Sequence, residues 1–163
     1  MAGHLPTATE DDIINEMEAI ITHFSAAFPD ATFVRQNIPE QPDPDTFVIV
    51  FQGESTSTET SLTYAAERDW QVIYVSGTDE NDSANVMRAL GRAEKLTVGD
   101  PKMVIPINDG SMRYMRVGNF GISQVAELEG GQKSGLGVLQ TVVRKARDIQ
   151  AYEKIMEAGV RST

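Results

Sequence analysis

The sharpest basic cluster in the sequence is formed by Arg144, Lys145 and Arg147. These cations can contact an acidic neighbour, or they can form an ordinary solvated edge, and their spacing leaves both interpretations open. We predict that they belong to a subunit interface in which basic and acidic side chains of two copies meet. The candidate interface residues are Arg144, Lys145, Arg147, Arg113, Arg116, Glu59 and Glu67.

The sequence has few residues suited to catalysis or to binding a metal. It contains no Cys and only two His residues, His4 and His23. Thiolate nucleophiles, disulfides and Cys-ligated metals are therefore excluded, and a Ser-His-Asp triad would have to use one of these imidazoles. His23 lies off the apolar stripe of the first predicted helix, where we expect a solvated side chain. We predict no enzyme activity, no cofactor and no metal.

Two segments match ligand-binding motifs only in part. Residues 79–83 carry the acids of a calcium loop, but Ala84 stands where the loop needs Gly and Leu90 where it needs an acid. Residues 135–140 lack the last Gly of a dinucleotide fingerprint, and no strand is predicted before them. We interpret the first segment as a loop that leads into a helix, and we reject the second.

Charge is distributed unevenly along the chain. The formal net charge is −10; residues 1–60 carry −10, residues 61–100 carry −3 and residues 101–163 carry +3. The chain lacks the concentrated basic surface that sequence-independent nucleic-acid binding needs. The acidic and basic ends can attract each other between copies, or the acidic part can serve as a solvated face that keeps the protein soluble.

The length of 163 residues is that of one globular domain, and we predict a single domain over residues 1–163 with a loose arm at 1–8. No apolar run is long enough to span a bilayer, and the first residues do not have the pattern of a secretory signal. Thr9 and the acids after it predict a helix start, and an apolar stripe continues that helix to Phe28. A second helix is predicted to run to about Leu96, with Asp82 or Ser83 as its capping residue.

Period-two patterns predict the strands. The most regular pattern runs from Glu59 to Ser76, after a turn or extended tip at residues 53–60. We predict further strands at residues 31–38, 47–51, 103–107 and 112–128, the last with a bulge at Gly118 or Gly121. Residues 136–158 fit both periods, and we predict a strand to about residue 146 and a helix from about 148 to 158. The fold class predicted is α+β: a mostly antiparallel sheet with two to three packed helices and long projecting hairpins.

Residues 112–124 (MRYMRVGNFGISQ) and 137–147 (GVLQTVVRKAR) resemble segments of small tail-component proteins of phages and prophages of Gram-positive bacteria. The order of elements is also similar to that family: a helix ending at Phe28-Pro29, a Pro-rich loop before Phe47-Val48-Ile49, and the strand Arg68-Asp69-Trp70-Gln71-Val72 before an amphipathic helix. The chain thus resembles the tail terminator, or tail completion, proteins.

The resemblance implies a structural virion protein that forms a homo-oligomeric ring, usually of six copies, on the end of the tail tube. Its expected partners are further copies of itself, the tail tube protein and the head–tail connector or stopper protein. Genomic DNA only passes through the lumen, no membrane is involved, and the protein is expected in the virion neck after assembly in the host cytoplasm. The alternatives are another neck component, such as a stopper or connector, and a small-molecule-binding or hydrolytic α+β domain.

Overall fold

The computed structural model describes residues 10–107, 110 and 113–147. Two helices and six strands lie in this part of the chain. In chain order they are α1 (Asp12–Ala27), β1 (Thr32–Arg35), β2 (Thr46–Thr58), β3 (Thr63–Val75), α2 (Asp82–Leu96), β4 (Val104–Pro106), β5 (Tyr114–Glu127) and β6 (Lys133–Ala146). No helix among these residues is long and apolar enough to cross a membrane.

The six strands form one sheet in the order β1-β2-β3-β6-β5-β4, which curls into a half-barrel. Neighbouring strands are antiparallel except β1 and β2, which run parallel. Two long hairpins, β2–β3 and β5–β6, are joined at the centre of the sheet by the β3–β6 pair. We call the end of the sheet at the β2–β3 turn, where Thr58, Thr63 and Ala146 lie, the turn end.

One hydrophobic core holds both helices against the same face of the sheet. The apolar stripe of α1 (Met17, Ile20, Ile21 and Phe24) and that of α2 (Val86, Leu90 and Ala93) are buried there. The strands contribute alternate residues to this core, with Trp70 and Leu139 near its centre, both 0% exposed. We call this the helix-covered face, and the face that carries the intervening residues the outer face.

The predicted fold class was wrong. Of the described residues, 45% are strand and 23% are helix, so strand predominates and the sheet curls into a half-barrel instead of forming an α+β fold. The two packed helices and the mostly antiparallel pairing agree with the prediction. Part of the difference lies in residues 53–58, predicted as a turn or extended tip, which continue β2. Their Ser- and Thr-rich sequence has no apolar alternation, but pairing with β3 satisfies their backbone.

Two local predictions met different outcomes. The bulge predicted at Gly118 or Gly121 is confirmed at Gly118, where the β5–β6 register shifts between Val117 and Asn119. The solvated placement of His23 was wrong, because the side chain is half-buried and its Nε2 lies 2.8 Å from the carbonyl oxygen of Leu96. A carbonyl only accepts, so Nε2 donates, and the bond ties α1 to the end of α2.

Several predictions fall outside the described residues: the loose arm at 1–8, the cap at Thr9 and the helix at 148–158. The predicted extent of the domain, residues 1–163, stays a prediction.

Candidate functional site

A cluster of charged side chains is buried between α1 and the turn end of the sheet. Glu16 of α1 lies at its centre and contacts two cations. Its Oε1 accepts a hydrogen bond from Nε of Arg68 at 2.8 Å, and its Oε2 lies 3.1 Å from Nζ of Lys145. These three side chains are 1–4% exposed, so the pairs lie in a medium of low dielectric constant.

Three further side chains complete this ionic cluster. Asp12, one helical turn before Glu16, lies 3.2 Å from Nζ of Lys145 and 3.8 Å from Nη2 of Arg113. Nη1 of Arg68 also donates to Oε2 of Glu54, on β2. Among the described residues, three carboxylates thus face three cations, and they join α1 to β2, β3, β6 and the residue before β5.

The cluster is suited to positioning α1 and not to reacting with a ligand. At its centre, Glu16, Arg68 and Lys145 are closed to solvent, and both cations pair with Glu16. A buried pair of this kind stabilises little relative to apolar packing, but removing one partner leaves an uncompensated charge in the interior. It therefore favours one placement of α1 against all others.

Sequence reasoning missed Glu16, Asp12, Arg68 and Glu54 as members of this cluster. A signal was present: Glu16 and Asp12 lie four residues apart, so they share one helix face, and Glu16 adjoins the buried residue Met17. Lys145 likewise continues the inward series of Leu139, Thr141 and Val143. Two residues of opposite charge, one at an inward position of a helix and the other at an inward position of a strand, indicate a buried ion pair.

The structure places the seven predicted interface residues in three different environments. Lys145 and Arg113 lie in the ionic cluster, where their side chains are 1% and 9% exposed. Arg116 and Glu67 are exposed, and both lie level with Val142 on the outer face. Only these two and the exposed groups at the turn end are accessible to a partner, and the interface itself stays a prediction.

Arg144, Arg147 and Glu59 hold the β2–β3 turn against β6 within the same chain. Arg144 binds Glu59 through Nε at 3.0 Å and Nη2 at 3.1 Å, and this hydrogen bond raises the pKa of the guanidinium. Arg147 donates to the carbonyl oxygen of Thr60 at 3.1 Å and lies over the ring of Tyr64. The basic cluster read from the sequence therefore serves, in part, to fix the turn end.

An open hollow of about 390 Å³ lies between α2 and the far end of β3. In its wall, the hydroxyl of Tyr74 donates to Oδ1 of Asp45 at 2.8 Å, and burial together with this carboxylate raises the pKa of Tyr74 above its usual range. The guanidinium of Arg92 lies 4.9 Å from the centroid of Phe28. These wall groups contact one another, which favours a structural role for the hollow.

Asp82 anchors the start of α2 next to this hollow. Its carboxylate accepts hydrogen bonds from the hydroxyl of Ser76 at 2.6 Å, from the side chain of Asn85 at 3.1 Å and from the backbone of Asp79 at 2.9 Å. These bonds, the one from Ser76 first, lower the pKa of Asp82 to about 2.

The long strands β2 and β5 are each paired with a short strand, β1 or β4, along only part of their length. β1 pairs with β2 up to Ile49, and in the described part of the chain no strand pairs with the outer side of residues 53–58. β4 pairs with β5 up to Arg116, and among the described residues no strand covers the outer side of residues 118–127. We call residues 53–58 the β2 edge segment and residues 118–127 the β5 edge segment.

These edge segments are the accessible feature of the fold that is best suited to binding. An uncovered strand edge presents backbone donors and acceptors to any strand that can pair with it. Neither segment contains Lys or Pro, the residues that commonly block such pairing, and Ile122 and Val125 of the β5 edge segment are 44% and 38% exposed. The sheet can therefore be extended from both sides.

Comparison of the sequence with models of protein families gives no matching family, and comparison with curated proteins gives no match.

Proposed function

We propose that this chain is a non-enzymatic structural subunit that assembles head to tail, through its two sheet edges, into a closed ring. The observation that carries the proposal is that, in the part of the chain that the structure describes, two different edge segments on opposite sides of one curled sheet are uncovered.

Two different edges make a heterologous contact. Each copy uses its β2 side to meet the β5 side of the next, and such a contact gives a ring where the rotation between copies closes. The curl of each sheet supplies a rotation in one direction.

The role we propose for this ring is that of a phage tail terminator, as the resemblance in sequence implies. The ring, of six copies, caps the tail tube and presents its other side to the connector or stopper protein of the neck, while genomic DNA passes through the lumen. Such a subunit resides in the virion and needs neither a cofactor nor a catalytic group.

Charge gives the proposal weaker support than the sheet edges do. Residues 1–60 carry −10 and residues 101–163 carry +3, which favours contact between unlike ends of two copies. Four of the described bases in the second range, Arg113, Lys133, Arg144 and Lys145, pair with carboxylates of their own chain. Arg116, exposed on the outer face, stays accessible to an acidic neighbour.

Light scattering after size-exclusion chromatography tests the assembly. The wild-type chain at high concentration is expected to elute as a multiple of the 17.8 kDa protomer, with rings visible by negative-stain electron microscopy. Thr56→Lys and Ile122→Lys place a cation on each edge segment and should shift the equilibrium towards the monomer.

Met87→Lys is the matched control, because Met87 is 57% exposed on α2, away from both edges. It should leave assembly unchanged, and circular dichroism should show all three variants folded. A wild-type chain that stays monomeric at the highest soluble concentration, alone and in the presence of tail tubes, contradicts the proposal.

A further inference from the structure

The two edge segments lie in opposite halves of the sheet. β1 covers the half of β2 away from the turn end, so the β2 edge segment lies at the turn end. β4 covers the turn-end half of β5, so the β5 edge segment lies at the opposite end. Within the described residues, the sheet therefore has five strands at each end, with β4 as the fifth strand at the turn end and β1 as the fifth at the other.

The short strands β1 and β4 therefore stop partway along β2 and β5, and each leaves a step in the outline of the sheet. On the β2 side, the pairing with β1 stops at Ile49, and the side-chain oxygen of Gln36 accepts a last hydrogen bond from the backbone nitrogen of Phe51 at 2.6 Å. On the β5 side, the last bond runs from the backbone nitrogen of Val117 to the carbonyl oxygen of Met103, at 2.8 Å.

The two steps lie at nearly the same level of the sheet. The cross-strand row at the β2 step is Phe51, Trp70, Leu139 and Phe120. The cross-strand row at the β5 step is Glu54, Arg68, Thr141 and Val117. Only one cross-strand row lies between these two rows, so the two steps lie at nearly the same height. The outline of the sheet on the β2 side is therefore complementary to the outline on the β5 side.

From this shape we infer that neighbouring copies interlock in register, without a shift along the strands. The β1 strand of one copy lies beside the β5 edge segment of the next, and the β4 strand of that next copy lies beside the β2 edge segment of the first. The occupant of each edge is a second copy of this chain, because the sheet's own opposite outline fits the step. The inference rests on the proposed ring and specifies how its subunits join.

The directions of the strands permit both contacts. With all copies in the same orientation, β1 and the neighbour's β5 run antiparallel, whereas β4 and the neighbour's β2 run parallel. Pro106 has no backbone N–H, so β4 offers fewer donors, and we expect most intersubunit hydrogen bonds on the β1–β5 side.

The interlock specifies which residues face each other. Through the cross-strand partners, Thr32 of one copy lies level with Ala126 of the next, and Ser55 lies level with Val104. All four side chains belong to the outer face, and none is fully buried. Neighbouring strands lie about 4.8 Å apart, so level residues on the same face have Cα atoms within the range of about 4.4–6.8 Å that a disulfide bridges.

Because the chain has no Cys, paired cysteines can test this register in the full-length protein. We would oxidise Thr32→Cys/Ala126→Cys and, independently, Ser55→Cys/Val104→Cys with copper phenanthroline, and separate the products on non-reducing gels. Each double variant is expected to give a ladder of covalent oligomers. A mixture of the two single variants should stop at the dimer, because each copy then carries one sulfur.

The matched control is Thr32→Cys/Val125→Cys, a slip of one residue that moves the second sulfur to the helix-covered face. It should give no ladder. If the protein forms rings by light scattering but only the control pair, or none of the pairs, cross-links, the interlock is wrong and the ring stands. If the wild-type chain is monomeric and nothing cross-links, both proposals are wrong.

Discussion

Replacing Lys145 with Met tests the ionic cluster. Met keeps most of the volume of the Lys stem but removes the cation that lies 3.1 Å from Glu16 and 3.2 Å from Asp12. The described part of the cluster then holds three carboxylates and two cations, in a region where Lys145 is 1% exposed. Breaking a buried pair from one side costs about 3–5 kcal/mol, which for a chain of this length corresponds to a fall in Tm of roughly 6–20 °C.

Urea unfolding followed by fluorescence measures this loss directly. Trp70 is the only tryptophan of the chain, is 0% exposed, and donates from Nε1 to Oγ1 of Thr141 at 2.9 Å. Its environment lies beside the cluster, so its emission should report both local and global unfolding. The matched control is Arg144→Met, at the neighbouring residue, which removes the exposed pair with Glu59 and should cost much less.

A double variant separates charge from packing. Glu16→Gln combined with Lys145→Met removes one charge of each sign, and the cycle should recover part of the loss seen for Lys145→Met alone. The reasoning is refuted if Lys145→Met destabilises the protein no more than Arg144→Met does.

Two further predictions concern other parts of the fold. The pKa of Asp82 is lowered in the folded state to about 2, so the stabilising contribution of its carboxylate is present above the unfolded pKa and is lost as the pH falls towards 2. Wild type should therefore have a higher Tm than Asp82→Asn at pH 7, and this difference should disappear between about pH 4 and pH 2. A Tm difference that does not depend on pH would contradict this. A Cβ at Gly137 would lie 2.7 Å from Cζ of Phe120, so Gly137→Ala should lower the free energy of unfolding by about 1–3 kcal/mol in urea melts. Gly121→Ala, with nothing within 4 Å of the added Cβ, is its control, and equal losses for the two would contradict the packing argument.

Periodicity alone was enough to predict the regular elements. The second helix was expected to end at about Leu96, and α2 spans Asp82–Leu96, because its apolar stripe is encoded locally. The cap expected at Asp82 or Ser83 was wrong, since Asn81 holds the N-cap position and Asp82 is already the first residue of the helix. The long alternation after residue 59 likewise contains β3, Thr63–Val75. A pattern that depends on near neighbours in the chain can be read without knowing the rest of the fold.

The extension of β2 over residues 53–58 and the positions of the charged residues in the ionic cluster depend on tertiary contacts, which the sequence alone does not give. Residues 53–58 have no apolar alternation, and only the pairing with β3 and the bond from Arg68 to Glu54 shows that they are strand. Arg144 and Lys145 are chemically alike and adjacent, yet one lies on the outer face and the other is buried, because successive strand residues point to opposite faces. The series Leu139, Thr141 and Val143 favours Lys145 as the inward residue, but Val138 and Val142 offer Arg144 a similar series, and only the register with β3 decides between them.

The order of strands has a consequence for synthesis on the ribosome. The β3–β6 pair joins residues 63–75 to residues 134–146, so the middle of the sheet is also its most distant pairing along the chain. Until β6 has been translated, the inner side of β3 stays an exposed edge, and Glu16 lacks Lys145. Topology of this kind slows folding and leaves the nascent chain prone to aggregation, which makes the emergence of β6 the step that commits the polypeptide to its native structure.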